Sequence, residues 1–226
     1  MIEYLWPTPV MREVAPFAED EIQALSKFAK HARDLFNAGA STCSLPVVDM
    51  RLTRQYNLLM EPYLELAPQP VFDRLRNYID EVYRRYLREA LGVRNAQEIE
   101  FVVRILPVVY LERGRRTLPH YHHTCDHVLC VYLETGENRR PFADRDRTGG
   151  DGELILCDPR PMASFPFWEK TRFIDPFPGL AILHPAPIWH ETNTFTSEGS
   201  RTLLAVTLRV TSHNYTDLYR PLKGHP

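Results

Sequence analysis

The chain has 226 residues, 44% hydrophobic and 25% charged, with a formal charge of −2 and an isoelectric point near 6.5. That length and composition suit one sizeable globular core, and the near-neutral balance excludes the broad positive surface that nucleic acid or an anionic membrane selects. No stretch approaches the roughly 20 apolar residues of a membrane helix, and the start MIEYLWPTPVMREVAPF lacks the build of a secretory leader. The four cysteines, Cys43, Cys125, Cys130 and Cys157, show no C-x-x-C spacing, so idle thiols in a reducing cytoplasm are expected.

In chain order, residues 1–98 read as mainly helical. Ile22, Leu25, Phe28, Ala29, Ala32, Leu35 and Phe36 recur at helical spacing behind an acidic first turn, which predicts a helix over 19–36. A second stripe, Phe72, Leu75, Tyr78, Ile79, Val82, Tyr86 and Leu87, predicts a helix over 71–91 stopped by Gly92. Residues 41–68 between them are irregular. From Glu100 the character changes. FVVRILPVVYLE, HVLCVYLE, GELILCDPR, GLAILHP and RTLLAVTLRV are short, rich in β-branched residues and separated by turn signals, which predicts a sandwich or barrel. Pro107 within the first of these marks an edge strand or a bulge. The expected architecture is a single α+β, mainly β domain over 1–226. Its strands occupy 99–215, and the helices pack on one sheet. Two connections stand out: 135–152 is polar, and 158–179, rich in proline and aromatics, suits a wall or lid.

The segment GRRTLPHYHHTCDHVLCVYLE, 114–134, packs four of the nine histidines into eight positions. In an extended chain His120 and His122 share one face, and Tyr121 and His123 the other. Two imidazoles on one face need a third donor from another strand to close a metal site. His190, in PAPIWHETN, supplies one, with His184 in LAILHP as its rival. Adjacent exposed histidines gain nothing structural, so metal binding is preferred over a solvated cluster; His123 and His127 read as bystanders. All-nitrogen or nitrogen-plus-carboxylate donors suit iron, zinc, copper or nickel. The H-E-x-x-H helix of zinc proteases is missing.

Order and spacing carry a resemblance. LWPTPV, Gly114, HYH at 120–122 followed by VLCVYLE, GELILCDPR, PGLAILHPAPIWHET and RTLLAVTLRV together resemble the iron(II)/2-oxoglutarate-dependent dioxygenases, in a putative-dioxygenase branch of that superfamily. The resemblance spans most of the chain and is strongest over 114–210. It implies a double-stranded β-helix (jelly-roll) core, an Fe(2+) centre, 2-oxoglutarate and O2 as cosubstrates, and oxidation, by default hydroxylation, of a small molecule. It also implies His120 and His190 as iron ligands and Arg201, eleven positions after His190, as the salt-bridge partner of the cosubstrate carboxylate. A guanidinium fork matches a carboxylate, and Leu203, Ala205 and Thr207 on the same face argue that Arg201 points inward rather than opening a strand at the surface.

Two positions depart from the family pattern. His122 stands where His-x-Asp or His-x-Glu is usual, which implies either a three-histidine site or two protein ligands, as in related halogenases. Leu203 stands where a serine often assists the arginine. A rival resemblance, G-x5-H-x-H-x3-D from Gly114 to Asp126, is similar to the first motif of the cupins. It would add Asp126 to the ligands and need no 2-oxoglutarate. Candidate substrate-wall residues are Arg104, Tyr110, Tyr132, Trp168, Phe173 and Trp189. A homodimer is left open.

Overall fold

The computed structural model describes residues 8–37, 69–107, 111–137, 151–158 and 170–211, with backbone alone for 32–37, 69 and 104–107. Strand β1 (Met11–Val14) leads into α1 (Glu19–Asn37). Glu19, Asp20 and Glu21 fill the first turn of α1, and the Ala18 N–H donates to Glu21 Oε2 at 2.9 Å, satisfying a donor that helix geometry strands. Helix α2 (Gln69–Glu89) runs on to Gly92, which adopts φ +69°. There the Val93 N–H donates back to the Leu87 carbonyl at 2.9 Å, a left-handed glycine stop.

After a short 3-10 turn (Ala96–Glu98) come β2 (Phe101–Pro107), β3 (Leu111–Glu112), β4 (His127–Glu137), β5 (Leu154–Cys157), β6 (Thr171–Ile174), β7 (Leu180–Pro185), β8 (Trp189–Thr192) and β9 (Glu198–Val210). They form two antiparallel sheets. The larger runs β1-β7-β4-β9-β2, with β3 also on β9; the smaller runs β6-β5-β8. Strand β2 sits at the edge of the larger sheet, and Pro107 is its last residue, where a missing N–H costs least.

Alternation along β4 and β9 divides two cores. Leu129, Val131, Leu133, Leu204, Val206 and Leu208 meet the stripes of α1 and α2. Val128, Cys130, Tyr132, Leu203 and Ala205 meet Leu154, Leu156 and Ile174 of the smaller sheet. Helices thus cover one face of the larger sheet and the smaller sheet covers the other.

The expected helices and the five expected strand runs are present. Strands β1 and β6 were not expected, and β8, on which His190 was expected, was given no bounds; each has only four residues, too few for a legible alternation. Cys43, Tyr110, Trp168 and the irregular stretch 41–68 lie outside the described residues, as do the side chain of Arg104 and most of the two long connections. No described helix is long and apolar enough to cross a membrane. Cys125, Cys130 and Cys157 stand as thiols.

Candidate metal centre

His120 and His190 face each other as an antiparallel bridge, exchanging both backbone bonds: His120 N–H to His190 O at 3.0 Å and His190 N–H to His120 O at 2.8 Å. Such a pair sets the two Cβ atoms directly opposite. The ring centroids are 4.2 Å apart. His122 is held by its N–H donating to the Ala186 carbonyl at 3.0 Å, and its ring stacks 5.2 Å from that of His190. One ligand atom from each of His120, His122 and His190 lies within 4.8 Å of the other two. A cation with bonds of about 2.1 Å sets cis nitrogens about 3.0–3.4 Å apart, so small side-chain adjustments close the shell.

The rings are already oriented. His120 Nδ1 donates to the Leu118 carbonyl at 2.8 Å and His190 Nδ1 to that of Ile188 at 2.9 Å. Both leave Nε2 as the donor, the orienting device common to histidine metal ligands. Burial, then the neighbouring His184 and His120 rings, pushes the His190 pKa down to about 2; burial, then His120, takes His122 to about 3. Both imidazoles are therefore neutral at ordinary pH, the form that coordinates a metal. The donor set fits a divalent cation that accepts nitrogen ligands.

Arg201 opens the inward row of β9 and is completely buried. Its Nη2 donates to the Tyr132 hydroxyl at 3.0 Å, and its guanidinium lies over the Tyr132 ring. Nε and Nη1 have no partner among the described residues. The cation reaches Cys130, whose thiol burial pushes up to about 11 against the downward pull of Arg201. Its stem runs past Gly152, where an added Cβ would lie 2.8 Å from Arg201 Cδ. A buried guanidinium with two unpaired nitrogens is costly unless an anion joins it.

The remaining candidates separate. Tyr132 is buried beside Arg201. Arg104 pairs with Thr207 in the β2–β9 ladder. Trp189 is 45% exposed and packs on Tyr121 at 5.0 Å, on the outer side of the strand that turns His190 inward; Phe173 is also exposed. Asp126 Oδ2 accepts the Val210 N–H at 2.8 Å and is not among the three converging donors. His127, on the helix side of β4, meets the Tyr83 hydroxyl through Nδ1 at 3.0 Å. The sequence reading missed Gly152 as the seat of Arg201, although a glycine just before a strand was the available signal. It also weighed His184 as a rival to His190 or a structural histidine, not as a neighbour of the site, whereas both rings are present, 5.0 Å apart. A cavity of about 320 Å³ opens beside Thr124 and Cys125 and is lined by Thr207 and Arg209.

No family model and no curated protein matches the chain. Among solved structures, AviO1 from Streptomyces viridochromogenes Tue57 superposes with a TM-score of 0.52 at 13% identity, over 89% of this chain and 90% of that one. The non-haem α-ketoglutarate-dependent epimerase SnoN of nogalamycin biosynthesis gives 0.48 at 13%, over 97% and 87%. A Pseudomonas putida prolyl-4-hydroxylase gives 0.45 at 13%, over 91% and 94%. The chain shares the fold of AviO1, and on that fold it brings together three imidazoles and a buried arginine with two nitrogens unpaired among the described residues.

Proposed function

We propose that the chain is a non-haem iron(II) oxygenase that uses O2 and 2-oxoglutarate to oxidise, most simply to hydroxylate, a small-molecule substrate. The single observation that carries this reading is Arg201, a buried cation with two nitrogens that have no partner among the described residues, in the inter-sheet space into which His190 also faces. A dicarboxylate held by metal at one end and guanidinium at the other answers both features. The two facing antiparallel sheets are read as a double-stranded β-helix within one domain of a cytoplasmic enzyme.

His120, His122 and His190 would hold the iron, and three protein ligands leave room for a bidentate cosubstrate and O2. Iron with these cosubstrates supplies the oxidising power: one oxygen atom goes to the substrate and the other to succinate, with loss of CO2. The chain's own residues position and shield. The carbonyls of Leu118 and Ile188 fix two imidazole tautomers. Arg201 would grip the distal carboxylate through a charge-assisted pair. Tyr132, opposite Leu203 in the ladder, offers the hydroxyl that a serine at 203 would have supplied. Leu154, Leu156, Ile182 and Leu203 keep the space dry, which strengthens every polar contact inside it.

Anaerobically purified protein given iron(II), 2-oxoglutarate and O2 is expected to release succinate, and a chelator should stop it. His122→Ala should lower iron affinity more than tenfold; unchanged affinity would mean a two-ligand centre. Metal binding without any succinate release would favour the cupin-type reading and end this one.

A further inference from the structure

A fourth imidazole stands beside the triad. His184 belongs to the inward row of β7, after Leu180 and Ile182, and is fully buried. Its ring is 5.0 Å from that of His190. Nδ1 lies 2.8 Å from the Pro185 carbonyl, an oxygen that can only accept, so this nitrogen carries the proton and Nε2 of the neutral ring carries a lone pair. Nε2 has no hydrogen-bond partner among the described residues. A buried acceptor left bare costs about 1–3 kcal/mol, and an apolar side chain would fill the same space without that cost.

The position indicates what would satisfy it. His184 is outside the set of three whose ligand atoms converge within 4.8 Å, so it borders the centre rather than completing it. Across the larger sheet it stands in one row with Val128 and Thr207. Thr207 lines the cavity with Thr124, Cys125 and Arg209, two strands or about 10 Å from His184. The cavity and the His184 ring thus share one face of the larger sheet.

We infer that His184 is a substrate-selecting residue whose Nε2 accepts a hydrogen bond from the molecule oxidised at the three-histidine centre, so that the preferred substrates carry a hydroxyl, amine or amide N–H next to the reacting carbon. The inference rests on the metal centre proposed above. A buried acceptor of this kind discriminates against analogues that lack the donor, because they leave it unsatisfied.

The test uses the full chain loaded with cobalt(II) and two probes, acetohydroxamate and its N-methyl derivative, which chelate alike and differ in one N–H. The wild type should prefer the N–H probe by about tenfold. His184→Phe and His184→Asn should abolish the preference, and His184→Gln, which keeps an acceptor near the Nε2 position, should recover most of it. Cobalt affinity should agree within about twofold across all four proteins. If the phenylalanine variant does not fold, the Asn and Gln variants carry the comparison. Equal preference in wild type and variants overturns the inference, as does a cobalt affinity more than tenfold lower in the variants, which would make His184 a ligand. A wild type that binds no cobalt removes the metal centre and this role together. A wild type that binds cobalt and, reloaded with iron(II), releases succinate, but whose probe preference does not depend on residue 184, removes only this role.

Discussion

On the helix side of β4, Leu129, Val131 and Leu133 pack against α1 and α2, and the titratable His127 and Glu134 there have partners. His127 meets the Tyr83 hydroxyl. Glu134 accepts from Ser26 at 2.6 Å and Ser200 at 2.7 Å and pairs with Lys30 at 2.6 Å. Burial alone would raise the Glu134 pKa, but the bonds from Lys30, Ser26 and Ser200 outweigh it and bring the value below the ordinary one. One residue along the same strand, Val128, Cys130 and Tyr132 face the smaller sheet. There three polar atoms are left open among the described residues: two guanidinium nitrogens of Arg201 and the Nε2 of His184. The helix side has one open group among the described residues, the Thr202 hydroxyl, which is neutral and far cheaper to leave open than a guanidinium. Two faces of one sheet thus follow different rules. The first maximises satisfied burial, and the second holds unsatisfied groups that only a ligand repays.

The sharpest way to break this contrast is Arg201→Ala. Succinate release should fall at least 100-fold, about 3 kcal/mol of lost charge-assisted binding, while the melting temperature stays level or rises because an unpaired buried charge has gone. Parallel loss of stability and activity would show Arg201 to be structural and the contrast false. On the opposite face the pattern should invert. Leu129→Ala should cost about 2–5 kcal/mol in chemical denaturation with turnover per folded molecule unchanged.

His127 sharpens the helix side further. Burial pushes its pKa down to about 4, so the folded state favours the neutral ring. Its contribution is complete above the unfolded value near 6.5 and is lost as pH falls towards 4, at most about 3 kcal/mol. Denaturation curves of His127→Gln should lose that share of the pH dependence between these limits. The smallest effect should be that of Lys30→Ala, under about 1 kcal/mol, since the pair with Glu134 is partly exposed and two serines remain on the carboxylate.

Much of this was legible before any coordinates. The stripes from Ile22 and Phe72 gave both helices because apolar spacing is a local property. His120 and His122 were legible as a same-face pair for the same reason. The four-residue strands β1 and β6 were not, and the bounds of β8, which carries His190, were not either. Trp189 illustrates the limit: it was a candidate wall residue, yet neighbouring residues on a strand point to opposite faces, and it packs outside on Tyr121.

By itself, then, the sequence determined the element types, the residues with chemistry to offer and the inward parity of Arg201 with Leu203, Ala205 and Thr207. Only the tertiary structure decided that His120 lies opposite His190, that Asp126 is engaged by the Val210 N–H, and that Arg201 and His184 are enclosed with open polar atoms. Parity along a strand follows from backbone geometry within a few residues. Pairing between segments 70 positions apart, and what remains unpaired once they are packed, depends on how two sheets and two helices fill one volume.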